Sequence, residues 1–320
     1  MNILIAQNLS VLIFILLFIT IILAKTHHDE SSRFFTSTIL VLIVAIFLMF
    51  ASGDILLTIT VILGYFAYVI FIGKKKYYDL KIRTKYIESD NLKDNFRALY
   101  ISDFQFDQGK KRINEKAMKQ VIDKINSQEY DMLLLGGDYI NYTENIDIFF
   151  KYIKEINLPK MGAFAVLGNH DYVDYNRIYN EFEKLNFNVL ENKRFDFNDE
   201  ITIVGVEDVI NGNPHLVELR EDSLNILLTH NPNFISKLPK DNCVDFSLSG
   251  HYHAGQVNLL GIPIQRLISK YVYGFYNDYN TKMYVSSGVG GAVFRGMFTL
   301  QIRYFAQPEI VEVVFIGNKK

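Results

Sequence analysis

Five short polar motifs, each placed directly after an apolar run, constrain this chain more than any other feature. They are Asp103-Phe104-Gln105, Gly137-Asp138, Gly168-Asn169-His170-Asp171, Thr229-His230 and Gly250-His251-Tyr252-His253. Four of the seven histidines fall inside them. The runs ahead of them, ALYIS, MLLLG, FAVL, NILL and VDFSLS, are short and apolar, as buried strands are. In an α/β sheet the residues that follow strands gather at the carboxyl ends, where ligands bind. Aspartate, asparagine and histidine are donors for hard and borderline divalent cations. The pattern is that of a metal site.

The first seventy residues have another character. Ile3 to Ala24, Phe34 to Ala51 and Ile55 to Ile72 are apolar runs, each near the roughly 20 residues that cross a bilayer. They predict a three-helix membrane anchor over residues 1–73, followed by a basic juxtamembrane linker over 74–96. With the first run lying on the surface, two spans remain. A cleaved signal peptide is disfavoured, because the N-terminus has no positive region and two further runs follow. Lys25 and Arg33 flank the first connection; Lys74, Lys75, Lys76, Lys81, Arg83 and Lys85 follow the third run. That asymmetry predicts a multi-pass protein of the cell membrane with its C-terminal domain in the cytoplasm. The His27-His28 pair in the first connection reads as solvated loop.

From about residue 97 the pattern alternates strand and helix, with helical apolar spacing over 113–125, 146–156 and 177–185. The second half is strand-rich: ITIVGV, NILLTH, VDFSLSG, KMYVSSG and IVEVVF. The expected fold class is α/β, a two-sheet sandwich with flanking helices over residues 97–316. A net charge of -2 supplies no basic field, so no nucleic acid is expected as a partner. The single cysteine, Cys243, rules out an intramolecular disulfide and a Cys-based zinc centre, and is expected in the core.

By donor type, Asp103, Gln105, Asp138 and His253 can surround one cation, and Asp138, Asn169, His230 and His251 a second. A shared Asp138 would hold the two ions about 3.5–4 Å apart, the spacing of two-metal phosphohydrolases, where a bridging hydroxide attacks phosphorus. His170 is expected to stabilise or protonate the leaving oxygen, with Asp171 fixing its tautomer.

These motifs resemble those of the calcineurin-like metallophosphoesterase superfamily, above all in GNHDY, ILLTHNP and LSGHYHAGQV. The run NILLTHNPNF to VDFSLSGHYHAGQV, with VSSGVGG and PEIVEV, is similar to a bacterial branch of membrane-anchored or exported phosphoesterases. That branch includes proteins similar to UDP-2,3-diacylglucosamine diphosphatases. The resemblance implies a metal-dependent phosphoesterase acting on a phosphorylated small molecule or a lipid-linked substrate. The family's first motif is normally Asp-x-His, whereas this chain has Gln105. An amide oxygen favours Mn²⁺ or Mg²⁺ over Zn²⁺, Fe or Co, or holds the first ion weakly. Two rival readings stand beside this one: a phosphodiesterase or nuclease on the same centre, and a non-catalytic protein whose degenerate site binds a phosphorylated ligand.

Weaker candidates are His215 and Asp208, read as loop residues, and Arg295, placed to pair with a phosphate. The aromatic segment 261–276, with Arg266 and Lys270, reads either as packing beneath a long loop or as a membrane-docking element.

Overall fold

The computed structural model describes scattered helical residues between Leu56 and Phe71, then residues 79–108, 113–256, 258–259, 262–291, 303 and 306–318. Most of the three apolar runs and Arg295 lie outside the described residues. Among the described residues no helix is long and apolar enough to cross a membrane. The helical positions Leu56, Leu63 and Phe71 are exposed.

Strands β1 (Lys81–Ser89), β2 (Phe96–Ile101), β3 (Met132–Leu135), β4 (Ala163–Ala165) and β5 (Phe187–Val189) open the fold. Helices α1 (Glu115–Asn126), α2 (Ile146–Ile153) and α3 (Tyr175–Lys184) lie between them. The next strands are β6 (Lys193–Asp196), β7 (Ile201–Gly205), β8 (Leu224–Leu228) and β9 (Phe246–Ser249). A short hairpin, β10 (Asn258–Leu259) and β11 (Ile262–Pro263), precedes β12 (Gly274–Asp278), β13 (Thr281–Val285) and β14 (Glu309–Gly317). Two six-stranded sheets result, ordered β1-β14-β2-β3-β4-β5 and β12-β13-β9-β8-β7-β6. The expected two-sheet α/β sandwich is what forms.

Period-two alternation along the strands builds its layers. Ala98 and Tyr100 of β2 face the second sheet and meet Leu228, Phe246 and Phe315 in the central core. Leu99 and Ile101, one residue out of phase, face the helices. There Met118, Val121, Ile122 and Ile125 of α1 are buried at the 3–4 spacing that one helical face requires. Each such side chain contributes about 1.5–3 kcal/mol by leaving water. The Asn114 side chain accepts the Ala117 N–H and starts the helix, worth about 1 kcal/mol. The outer face of the second sheet is closed by Phe234, Ile235, Leu238 and Tyr271.

One expectation needs correcting. Residues 74–96 are not linker throughout, because Lys81–Ser89 is the edge strand β1, paired in parallel with β14 from Lys81↔Glu309 to Ser89↔Gly317. The alternation Ile82, Thr84, Tyr86 against Lys81, Arg83, Lys85 is a strand pattern masked by its charge. The exposed Lys81 and Glu88 also suit an edge, since charge there discourages pairing with another chain.

Candidate metal centre

Strands β2, β3, β4, β8 and β9 are mutually parallel within their sheets, so their carboxyl ends point the same way. The five motifs begin there. Asp103 N–H donates to Gly137 O at 2.9 Å and Gln105 N–H to Asp138 O at 2.8 Å, locking the first two loops together. The glycines permit this closeness. A Cβ on Gly168 would stand 2.4 Å from Asp138 Oδ1, and one on Gly250 would stand 2.2 Å from Asp103 Oδ2.

Backbone strain is concentrated here. Asp103, Gln105, Asp138, His251 and His253 all have positive φ, between 44° and 73°. These are five of the seven residues expected to hold metal. Left-handed backbone costs a non-glycine residue about 1 kcal/mol or more, and such strain gathers where a site demands one side-chain direction.

Asp138, His230 and His251 each place one donor atom within 4.8 Å of the others, the one such group among the described residues. His230 Nδ1 lies 2.9 Å from Gly136 O, which fixes that nitrogen as the donor and turns Nε2 into the site. His230 Nε2 is then 3.2 Å from His251 Nδ1 and 3.4 Å from Asp138 Oδ1. Asn169 Oδ1 is buried without a hydrogen-bond partner, an acceptor that a bound cation would satisfy. This donor set fits a divalent ion. The protonation pattern agrees with that fit. Burial opposes charge on His230, but the Asp138 carboxylate overrides it and pushes the imidazole up to about 10. Burial would raise Asp138, yet His230 and His170 hold it well below the usual carboxylate range. Burial and the His230 charge push His251 down to about 4. Metal binding at these donors would displace a proton from His230.

The first donor set is less assembled. The Gln105 amide nitrogen lies 3.2 Å from Asp138 Oδ2 and 3.1 Å from His253 Nε2. Those are the separations of donor atoms around one ion, but the amide must turn to present its oxygen. His253 shows its other nitrogen, Nδ1, to Asp103 Oδ1 at 3.9 Å, so the ring too must turn for all four to face one point. Asp103 is held by Ser102 Oγ at 2.7 Å and by the His251 N–H at 3.0 Å. Burial raises its carboxyl to about 6.

His170 stands at the mouth, its side chain 37% exposed, with Nε2 3.9 Å from Asp138 Oδ2. Asp171 has a different place from the expected one. Its carboxylate is buried and accepts three main-chain N–H groups, from Asp138, Tyr139 and Gly168, each at 2.8 Å. Instead of setting the His170 tautomer, it clamps two motif loops together. Burial and nearby Asp138 raise its pKa, and the N–H donors oppose that.

Asp208 shapes its loop, as expected, accepting from Ile210 and Asn211 N–H groups, and Asn211 Nδ2 donates to Asn169 O. His215 is exposed, bonded to Asn192 and Asn213 in its own loop region. Cys243 is half-buried. In segment 261–276, Tyr271 and Val272 are buried while Ile268 is 80% exposed. Sequence reasoning missed the 286–290 turn as scaffolding, where Val289 N–H bonds Ser102 O and Gly290 N–H bonds Asp103 O. The glycines of VSSGVGG were its signal. It also missed Glu309, whose buried carboxylate joins Arg83, Tyr273, Tyr284 and the Ser287 N–H.

The profile of calcineurin-like phosphoesterases matches residues 96–255, half of the chain and all five motifs. The chain belongs to the calcineurin-like phosphoesterase family. An uncharacterised metallophosphoesterase of Helicobacter pylori is 29% identical over 72% of this chain and 62% of its own. The metallophosphoesterase YkuE of Bacillus subtilis is 31% identical over 60% of this chain and 70% of its own. The UDP-2,3-diacylglucosamine pyrophosphatase LpxG of Chlamydia muridarum is 26% identical over 67% and 82%. The chain spans less than two thirds of the length of the Helicobacter relative.

Proposed function

We propose that this metallophosphoesterase is anchored in the cell membrane and hydrolyses a phosphoester or pyrophosphate bond on the cytoplasmic side, on a lipid-linked substrate. The observation that carries the hydrolase reading is the convergence of the Asp138, His230 and His251 donor atoms within 4.8 Å of one another at the carboxyl ends of the strands. The apolar runs and their Lys/Arg flanks support the anchor and its orientation. The likeness to LpxG supports a lipid-linked pyrophosphate as the first substrate to try.

Asp138, Asn169, His230 and His251 would hold one divalent ion, and Asp103, Gln105 and His253 would join Asp138 in holding a second. Such ions neutralise charge growing on the phosphoryl oxygens and make water acidic enough to attack near neutral pH. Mn²⁺ is the ion to supply first, because oxygen donors dominate the Asp103, Gln105, Asp138 and His253 set. Asp138 would contribute to both positions, and the His170 main-chain N–H, 2.9 Å from its Oδ1, fixes the carboxylate orientation. His170, partly exposed at the mouth with Nε2 3.9 Å from Asp138 Oδ2, would donate a proton to the leaving oxygen. Asp171 keeps the Asp138 and Asn169 loops in register.

The test is hydrolysis of an aryl phosphate, a phosphodiester and a UDP-linked acylated sugar by the full chain with Mn²⁺, Mg²⁺, Co²⁺ or Zn²⁺. Turnover abolished by Asp138→Asn supports the reading. Absence of turnover with every metal in a folded protein refutes it.

A further inference from the structure

We infer that the metal centre opens toward the bilayer, and that the 266–275 region beside it docks on an anionic phospholipid surface. The inference deepens the proposed function and rests on its membrane anchor. Strand register carries it. β14 runs antiparallel to β2, with Val311 opposite Tyr100, so β14 begins at the end of the sheet where β2 delivers Asp103. β1 runs parallel to β14, with Lys81 opposite Glu309. The chain therefore enters the catalytic unit at the metal-site end of the sheet. Glu309 N–H bonds Gly288 O, and a Cβ on Gly288 would stand 2.5 Å from Asp103 Cβ, so the entry point and the site share one turn.

Length then excludes the opposite facing. Only residues 73–80 separate the last apolar run from β1, and eight residues reach at most about 28 Å. A unit of this size is roughly 45 Å across. Turning the metal site away from the membrane would lift Lys81 beyond that reach.

The surface at this end suits a lipid headgroup layer. Ile268 is 80% exposed and Phe275 is 52% exposed, both on the site side of the second sheet. Phe275 pairs with Tyr284 one step from Val285, whose partner Ser249 leads into His251. Ser269 Oγ donates to Asn233 Oδ1, and Asn233 Nδ2 donates to the hydroxyl of Tyr252, between the two histidines. Arg266 is exposed beside Ile268, and Lys74, Lys75 and Lys76 lie in the connecting stretch. Apolar side chains flanked by cations are what an anionic interface holds. A site facing this way receives a phosphate or pyrophosphate group carried on a membrane lipid.

The test uses the full chain in vesicles of phosphatidylethanolamine and phosphatidylglycerol, in a Cys243→Ser background. Ile268→Cys and Phe275→Cys each carry an environment-sensitive fluorophore, and Leu158→Cys, exposed at the opposite end ahead of β4, is the reference. Flotation with the vesicles, iodide quenching severalfold weaker at 268 and 275 than at 158, and quenching of 268 by a headgroup-level spin label are expected. Flotation with equal iodide quenching at all three sites overturns the orientation while leaving the anchor standing. Failure to float removes the anchor, and the inference with it. Lipid quenching at 158 in place of 268 would reverse the facing.

Discussion

Glu191→Gln should make the protein more stable at alkaline pH and leave it nearly unchanged in acid. Glu191 Oε1 accepts the Leu167 N–H at 2.9 Å, while Oε2 is buried without a partner. Burial first, and then the charges of Glu207, Asp171 and Asp208, push its carboxyl up from 4.5 to about 8. In the unfolded chain the group ionises near 4.5, but in the folded protein it stays neutral until about 8. Between those values the unfolded state binds fewer protons, so stability falls as pH rises and levels off above 8. The interval, 8 minus 4.5, at about 1.4 kcal/mol per pH unit, gives up to about 5 kcal/mol. Glutamine keeps an oxygen for Leu167 and cannot ionise, so it escapes the loss. Urea unfolding of both proteins at pH 5 and pH 8.5, stripped of metal with EDTA, measures the difference. A bound cation would itself lower the carboxyl pKa and blur the result. A gap between the two proteins that is the same at both pH values, or wild-type stability that rises with pH, would refute the reasoning.

Three further outcomes follow from the site. His170→Ala should retain its metal, measured by elemental analysis, but lose about 10²–10⁴ in turnover, the usual worth of a general acid; loss of metal would make His170 a ligand. Gln105→His should tighten the first ion and shift preference toward Zn²⁺ or Fe, because imidazole is the stronger donor for borderline ions. Equal affinity in parallel metal titrations would take Gln105 off the ligand set. Asp171→Leu strands three N–H donors and should destabilise the fold by about 3 kcal/mol or more, at about 1–3 kcal/mol per unpaired buried group. Thermal unfolding unchanged from wild type would show that the clamp is dispensable.

Much of the architecture was legible because strand cores here are apolar on both faces, so Leu133 to Leu135 and Ile226 to Leu228 stand out without context. Helix α1 was legible through its one-sided spacing. β1 was not, because its partner is distant in sequence and Lys81, Arg83 and Lys85 make it look like a basic flank beside an apolar run. Asp171 shows another limit. Its position next to His170 suggested a side-chain partnership, but only the fold reveals three N–H groups converging on it. The left-handed backbone at Asp103, Asp138 and His251 was equally hidden, since nothing local forces aspartate or histidine into it.

The pairing of β1 with β14 has a consequence in time. Thr84 and Glu312, joined across these strands, are 228 residues apart. At about 5–20 residues per second, a ribosome needs roughly 11–46 s to make the second after the first. Throughout that interval β1 has emerged with no neighbour, since the one strand that separates it from β2 is the last to be made. Contacts this distant also slow folding itself. The first sheet is therefore finished from its centre outward, and its basic edge is the part exposed longest to chaperones, proteases and other nascent chains.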